Sequence, residues 1–312
     1  MKNQKIWIVL GPLFVIIGAG LWGTETYFRD YLNKAYHDES EVLVFHEHLF
    51  CILFTLPVLF FIRLSDLKKV PRSAWIYLLL SGSVGSALGT TFFTLSLTKL
   101  NLSVANVLLN FQPIVSVLFA AILLKEKLGK GFAGWALAAL ACGFFIAAGD
   151  FKFGQDFQWN IGLLFVAITA LSWGFSTVAG RGAMLFLPLG VATLGRFIIG
   201  AVTLLISLMV KGKFTGPMMH WDLLLDPLVI KNFVWLSFVA GVIPLFFYFK
   251  GLSKTSASVG GFCELTQTFS ALLLTWGIMG QRLNAIQVVA GILLIVAVYM
   301  INLNYQSQLR EK

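Results

Sequence analysis

The chain has 312 residues, of which 58% are hydrophobic and only 12% are charged. A single water-soluble core cannot bury so much apolar surface, so the composition excludes a soluble globular protein and favours a lipid bilayer. The formal net charge of +9 does not indicate nucleic-acid binding, because the basic residues are scattered singly between apolar segments. The three cysteines and four histidines lack disulfide or metal-ligand spacing, so we expect no metal and no cofactor.

Ten mainly apolar segments follow one another along the chain, each long enough to cross a hydrocarbon core of about 30 Å as a helix. They cover residues 6–22, 42–62, 74–97, 102–124, 131–149, 160–180, 189–210, 232–251, 256–279 and 285–303. The first follows Lys2 and Lys5 and is similar to a signal peptide, but no polar mature region comes after it. The sequence therefore predicts an all-α integral membrane protein with ten transmembrane helices.

The basic residues between these segments favour one orientation. With the N-terminus in the cytoplasm, 14 of the 23 Lys and Arg residues lie on the cytoplasmic side and 8, among them Arg29, lie outside. Arg196 is the remaining one and falls within a segment. Membrane proteins carry their excess of Lys and Arg in cytoplasmic connections. We therefore expect both termini in the cytoplasm and a multi-pass protein of the cell membrane.

Two similar stretches indicate an internal duplication. The stretch KLNLSVANVLLNFQPIVSVLFAAILLKEKL begins at Lys99 and aligns without gaps with the stretch that begins at Lys254. Gln112 and Gln267 match in this register, and the hydrophobic profile matches much further than the identical residues do. The alignment therefore predicts that the chain is built from two similar halves.

The predicted halves, residues 1–150 and 151–312, contain five helices each. The dipeptide Trp22-Gly23 of the first half recurs as Trp173-Gly174 in the second. Because five is an odd number, the second half must enter the membrane from the opposite side, which makes the pair an inverted repeat. Such repeats build a central site that is reached alternately from each face of the membrane.

The order of several sequence features along the chain resembles that in a known protein family. A Trp-Gly pair near the end of the first helix, a fourth helix with Pro113, the closing sequence LLKEKL and a Gly-rich fifth helix are repeated in both halves. This pattern is similar to the ten-helix EamA-type members of the drug/metabolite transporter superfamily over nearly the entire chain. The resemblance implies transport of small metabolites, often amino acids, by alternating access. The second half departs from the pattern, since Gln281 stands where Glu126 does and Thr268 where Pro113 does.

Polar residues inside the apolar segments are candidates for substrate binding, because a charged side chain in a membrane is costly and is kept out of lipid. Glu264 is the deepest acid, about eight residues or roughly 12 Å from the cytoplasmic end of its helix. Helical spacing places it on one face with Gln267, and the inverted repeat brings the fourth helix opposite. The predicted substrate-binding residues are Glu264, Gln267, Asn110, Asn106, Gln112, Thr266, Trp22 and Trp173.

Each of these candidates has a simpler alternative. In the first interpretation the amides orient the solute, and Glu264 either pairs with a cationic group or takes up a proton. In the alternative these polar side chains only form hydrogen bonds that hold the helices together. Glu25, Glu47 and His48 form a predicted proton-coupling cluster or outer gate, or else an interfacial cluster that faces headgroups and water. For Arg196, an ion pair or snorkelling to the interface is favoured over substrate contact.

The function that follows is secondary transport. No nucleotide-binding loop or catalytic motif occurs, so we expect neither an enzyme nor an ATP-driven pump. We predict an exporter or exchanger of a small polar or cationic metabolite such as an amino acid or amine, with proton coupling as an option. The alternative is a lipid-carrier flippase subunit or a structural membrane partner. The expected partners are a small-molecule substrate and the lipid bilayer, and the expected state is a monomer, with a dimer as the alternative.

Overall fold

The computed structural model describes residues 2–62, 67–100, 102–129, 131–147, 160–279 and 284–310. Within them the chain is helical and has no strand. The first half contains α1 (Lys2–Trp22), α2 (Glu25–Ala35), α3 (Ser40–Thr55), α4 (Arg72–Leu80), α5 (Thr90–Leu97), α6 (Leu102–Leu109), α7 (Gln112–Leu123) and α8 (Phe132–Ala147). The second half contains α9 (Ile161–Met184), α10 (Leu189–Val210), α11 (Pro227–Val234), α12 (Ile243–Leu252), α13 (Ala257–Cys263), α14 (Thr266–Met279) and α15 (Ala285–Arg310).

Seven helical spans in the described residues are long and apolar enough to cross a membrane. They are Ser40–Phe61, Arg72–Leu97, Val104–Leu123, Ile161–Met184, Leu189–Val210, Pro227–Leu252 and Ala285–Tyr305. Phe132–Ala147 is a shorter apolar helix. The all-α prediction is therefore confirmed for the described residues, while the count of ten crossings and the positions of the termini stay predictions.

Two spans are wider than ordinary α-helices at matching places. A π-helical segment, Ser81–Gly89, joins α4 to α5, and a second one, Trp235–Val242, joins α11 to α12. The two segments lie about 154 residues apart, which is close to the spacing of the duplicated stretches. π-helical turns are rare and occur often at functional sites. Their presence at equivalent positions supports the duplication in a region where few residues of the two halves are identical.

Two helices that were predicted to be continuous are broken. The expected helix 102–124 is interrupted at Asn110 and Phe111, and the expected helix 256–279 is interrupted at Glu264 and Leu265. In the first break Pro113 has no N–H to donate to the preceding turn. In the second break the turns tighten, since the Leu265 and Gln267 N–H groups donate three residues back. Broken helices of this kind leave backbone groups free at a binding site in many transporters.

The Trp-Gly dipeptides lie where each half packs against the other. A β-carbon added to Gly23 would lie 2.6 Å from the carbonyl oxygen of Gln267. A β-carbon added to Gly174 would lie 2.9 Å from the carbonyl oxygen of Gln112. Because Gln112 and Gln267 are themselves matching residues, each half presents its glycine to the same position of the other half. Glycine is needed here because the two backbones approach too closely for any side chain.

We predict that Gly23→Ala destabilises the protein, because the added methyl group meets backbone atoms that cannot move aside cheaply. The free energy of unfolding should fall by about 1–3 kcal/mol, as for other overpacked positions. Chemical unfolding in detergent micelles, followed by circular dichroism, measures the change. Gly134→Ala in α8 is the matched control, since among the described residues no atom outside its own stretch of helix lies within 4 Å of the added carbon. Equal loss of stability in both variants would contradict the packing described here.

Candidate functional site

We use the name main cavity for the space between the two halves to which both contribute side chains. Its atom-free space is about 700 Å³, part of which is open to solvent. Its charged, titratable and large aromatic lining residues are Trp22, Glu25, Arg29, Glu47, His48, Trp173, Arg196, Phe197, Tyr248 and Glu264. Gln267 and several hydroxyl-bearing residues complete the lining.

Glu264 is held in this cavity by donors from both halves. Its Oε1 accepts hydrogen bonds from the Tyr248 hydroxyl at 2.6 Å and from the Thr177 hydroxyl at 2.7 Å. Its Oε2 accepts a hydrogen bond from the side-chain amide of Gln112. The structure therefore brings together Glu264 and Gln112, which were predicted as site residues. Thr177 was missed because a threonine in an apolar helix carries no distinctive pattern, and Tyr248 was missed although the repeat register aligns it with Phe93.

Trp22 and Trp173 both line the main cavity, and each lies beside an aromatic ring of the other half at a tilted angle. The ring centroids of Trp22 and Tyr248 lie 4.8 Å apart, and those of Trp173 and Phe93 lie 5.1 Å apart. Phe93 and Tyr248 are 155 residues apart, as are Lys99 and Lys254. Extending the register to these helices would have found Tyr248. Both halves thus place an aromatic ring at this position, but only Tyr248 of the second half carries a hydroxyl group.

A second, smaller cavity adjoins the first. It is lined by Asn106, Asn110, Gln112, Gln267 and Thr268, together with residues of the main site. The Thr268 hydroxyl donates to the Asn110 side-chain oxygen at 3.2 Å, which links the two broken helices. Gln267 lines both cavities. The predicted amide face is therefore assembled, but Asn106 and Asn110 line the side cavity and not the main one.

Thr266 is the predicted site residue that lines neither cavity. Its hydroxyl donates to the carbonyl oxygen of Cys263 at 2.7 Å, just across the break between α13 and α14. This bond satisfies a backbone group that the interrupted helix leaves without its usual partner. The side chain is 5% exposed. Thr266 therefore supports the broken helix, and the structure does not bring it to the cavity.

Arg29 lies in a buried cluster of charges. The prediction that it lies in an outer connection between helices is therefore wrong. Its guanidinium donates to both oxygens of Glu47, at 2.8 and 2.9 Å, and to Glu25 at 3.1 Å. It also donates to the Thr94 hydroxyl at 3.1 Å, and it is only 1% exposed. The chain turns after Trp22 and continues as α2, so Arg29 points inward. The i, i+4 spacing of Glu25 and Arg29 was the available signal.

His48 also faces the protein interior. Its Nδ1–H donates to the carbonyl oxygen of Val44 at 2.7 Å, because a carbonyl can only accept. Nε2 then accepts from the Ser86 hydroxyl at 2.8 Å in the neutral ring. His48, Glu25 and Glu47 are at most 7% exposed, so they do not lie on the outer surface of the protein. They line the main cavity, and their part in proton coupling or gating stays a prediction.

Arg196 was expected to form an ion pair or to reach the membrane surface, and in the described part of the chain no ion pair to it occurs. One guanidinium nitrogen donates to the Ser81 hydroxyl at 2.9 Å and to the Ser176 hydroxyl at 3.0 Å. The guanidinium lies over the Phe249 ring, 5.8 Å from its centroid. Arg196 lines the main cavity, so a second, partly exposed cation stands near the acid Glu264 without contacting it.

Glu126 joins the halves away from the cavity. Its carboxylate accepts hydrogen bonds from the N–H groups of Ala257 at 2.7 Å and Ser258 at 3.0 Å, and from the Ser258 hydroxyl at 2.7 Å. These donors open α13, so the acid of the first half holds the start of the broken helix of the second. Gln281, which stands at the matching position, lies outside the described residues.

Comparison with known proteins places this arrangement in context. The sequence matches the EamA-like transporter family over residues 9–148 and again over residues 160–303. A relative from Fusobacterium nucleatum subsp. nucleatum, named riboflavin transporter ImpX, is 25% identical over 310 residues, which are 94% of this chain and 98% of that protein. A protein of known crystal structure superposes with a TM-score of 0.70 and 17% identity over 97% of this chain and 99% of that chain. That superposition shows a shared fold.

We predict that Arg29→Gln strongly destabilises the protein. The variant leaves the carboxylates of Glu25 and Glu47 buried without their counterion, a loss of about 3–5 kcal/mol for buried pairs. Lys34→Gln is the control on the same helix, because Lys34 pairs with Asp30 on the surface and its side chain is 75% exposed. Such a surface pair contributes less than about 1 kcal/mol. Unfolding of both variants in detergent checks this, and similar losses would refute the buried cluster.

Proposed function

Because the chain belongs to the EamA-like transporter family, we propose that it is a secondary transporter that moves a small polar solute by alternating access. It is a multi-pass protein of the cell membrane, with seven apolar membrane-spanning helices among its described residues. Beyond membership of the family, we propose the mode of transport and the position at which the solute binds. The solute binds in the main cavity, between Glu264 and the two tryptophans Trp22 and Trp173.

The observation that carries this proposal is the position of Glu264. An acid inside a membrane protein is kept out of lipid because its charge is costly there, and such residues mark substrate and ion pathways. Gln112 from the first half and Tyr248 from the second hold the same carboxylate. A movement of one half against the other therefore changes the contacts of Glu264 directly. This is the coupling between solute binding and alternating access that a carrier requires.

The proposed solute is an amino acid or an amine. The carboxylate of Glu264 is suited to accept an ammonium group, and Trp22 and Trp173 offer aromatic faces that attract a cation. The second candidate is riboflavin, which the relative from Fusobacterium nucleatum is named for transporting. The same two indoles favour it, because a flat heterocycle stacks on aromatic side chains. Both classes of solute should therefore be included in the transport experiment described below.

The topology completes the proposal. Ten helices cross the membrane, the N- and C-termini lie in the cytoplasm, and the inverted repeats are residues 1–150 and 151–312. The carrier works as a monomer, exports or exchanges its solute, and uses no catalytic activity. Proton coupling would act through Glu264 or through the cluster of Glu25, Glu47 and His48. Cysteine accessibility at both termini in intact and permeabilised cells tests the orientation.

Counterflow in proteoliposomes tests the function. Vesicles that contain the purified chain are preloaded with an unlabelled solute and diluted into the same solute in labelled form. We expect transient accumulation of label for at least one of the amino acids, amines or riboflavin. Accumulation that requires no added ATP supports a secondary carrier. If no solute of the panel accumulates, the alternative of a lipid-carrier flippase subunit or a structural partner replaces the proposal.

We predict that Glu264→Gln abolishes counterflow or, where transport is proton-coupled, its dependence on pH. Glutamine keeps the size of the side chain but removes the charge that accepts a cation or a proton. Expression and the elution volume in size-exclusion chromatography should match those of the wild type. Glu39→Gln is the control, because Glu39 forms only a half-exposed pair with Lys213. Wild-type counterflow in Glu264→Gln would remove Glu264 from the proposed site.

A further inference from the structure

The two arginines that line the main cavity differ in how their charge is compensated. Arg29 contacts the carboxylates of Glu25 and Glu47. Arg196 contacts hydroxyl groups only, and no carboxylate of the described residues forms an ion pair with it. A cation inside a membrane protein without a contacting counterion is costly. The cavity therefore holds one positive charge that no carboxylate of the described residues contacts directly.

We propose that Arg196, positioned by Ser81 and Ser176, binds the carboxylate group of the transported solute. The inference rests on the proposed function and narrows its substrate class. With Glu264 as the acceptor for an ammonium group, the cavity fits a solute that carries both charges. A zwitterionic amino acid has this charge pattern, whereas an amine has only one of the two charges and riboflavin has neither.

The hydrogen bonds of Arg196 leave it ready for such a ligand. One terminal nitrogen serves both serine hydroxyls, which accept its protons and fix the plane of the guanidinium. The other terminal nitrogen and Nε have no partner among the described residues. These two nitrogens form the edge of a planar fork that matches the two oxygens of a carboxylate. The ring of Phe249 supports the guanidinium from one face.

Glu264 does not serve as the counterion of Arg196. Its three hydrogen bonds come from neutral donors, namely the Gln112 amide and the hydroxyls of Thr177 and Tyr248, and not from Arg196, while a carboxylate can accept about four. The two opposite charges therefore line one cavity without contacting each other. A solute with separated charges of opposite sign would compensate both at once. This complementarity favours a zwitterion over a neutral solute, since a neutral solute leaves the Arg196 charge uncompensated.

Ligand-induced thermal stabilisation of the purified full chain in detergent tests the proposal without relying on transport. The probes are matched triplets: an amino acid, its primary amide and the amine that lacks the carboxylate. L-Leucine, L-leucinamide and isopentylamine form one triplet, and L-phenylalanine, L-phenylalaninamide and phenethylamine form another. We expect the acids to raise the unfolding temperature at concentrations roughly 10- to 100-fold below those that the amides require, as for a charge-assisted hydrogen bond.

Variants of Arg196 and its partners show whether this preference depends on the proposed subsite. Arg196→Met should lose the preference for the acid over the amide, and Ser81→Ala and Ser176→Ala should weaken it. Arg181→Gln is the control, because Arg181 donates to the backbone carbonyl of Leu252 and lines neither described cavity. It should keep the preference. If Arg196→Met does not fold, Arg196→Lys and the two serine variants decide the matter.

Two outcomes would overturn the inference: wild-type protein that no acid of the panel stabilises, and an acid-to-amide preference that persists in the Arg196 variants. Counterflow separates this failure from a failure of the proposed function. Counterflow of amines or riboflavin without acid binding leaves a carrier with no carboxylate subsite. Acid binding that depends on Arg196, without counterflow of any solute, leaves the subsite and removes the transport proposal.

Discussion

Burial of the Glu264 carboxylate inside a membrane protein is the constraint on which the arrangement of the site depends. Each oxygen of this group needs a hydrogen-bond donor from the protein, because lipid offers none. Gln112 supplies one donor from the first half, while Tyr248 and Thr177 supply two from the second. The break between α13 and α14 falls at Glu264 itself. The same residue thus ties the halves together and interrupts the helix that carries it.

The two halves share a backbone frame and differ in the charge that the frame carries. Matching π-helical segments, matching helix breaks and matching Trp-Gly contacts occur in both halves. The polar group at the centre does not match, because Tyr248 stands where the first half has Phe93, and Glu264 where it has Leu109. A symmetric frame allows one half to move against the other, since both can adopt the same two packings. The asymmetric charge gives a solute a defined orientation within it.

The sequence predicted the fold better than the site. Long apolar segments and a repeated stretch are sufficient for an all-α membrane protein in two halves, and the depth of Glu264 in its helix pointed to the cavity. The inverted repeat predicted that the helix with Gln112 faces the helix with Glu264, but not the hydrogen bond between these two residues. Arg29 was assigned to a connection because hydropathy cannot show that α2 turns inward, and the contacts of Arg196 depend on serines from two other helices. Contacts between distant helices leave no periodic signal in a single sequence.

A structure of the full chain in a lipid nanodisc, determined with the solute that counterflow identifies, tests the central claim most directly. The account predicts density for that solute in the main cavity, in contact with Glu264 and beside Trp22 and Trp173. The halves should enclose it from both sides. Density for the solute elsewhere, with the main cavity unoccupied, would contradict the account. The same result would assign the charges of Glu264 and Arg196 to the packing of the helices and not to transport.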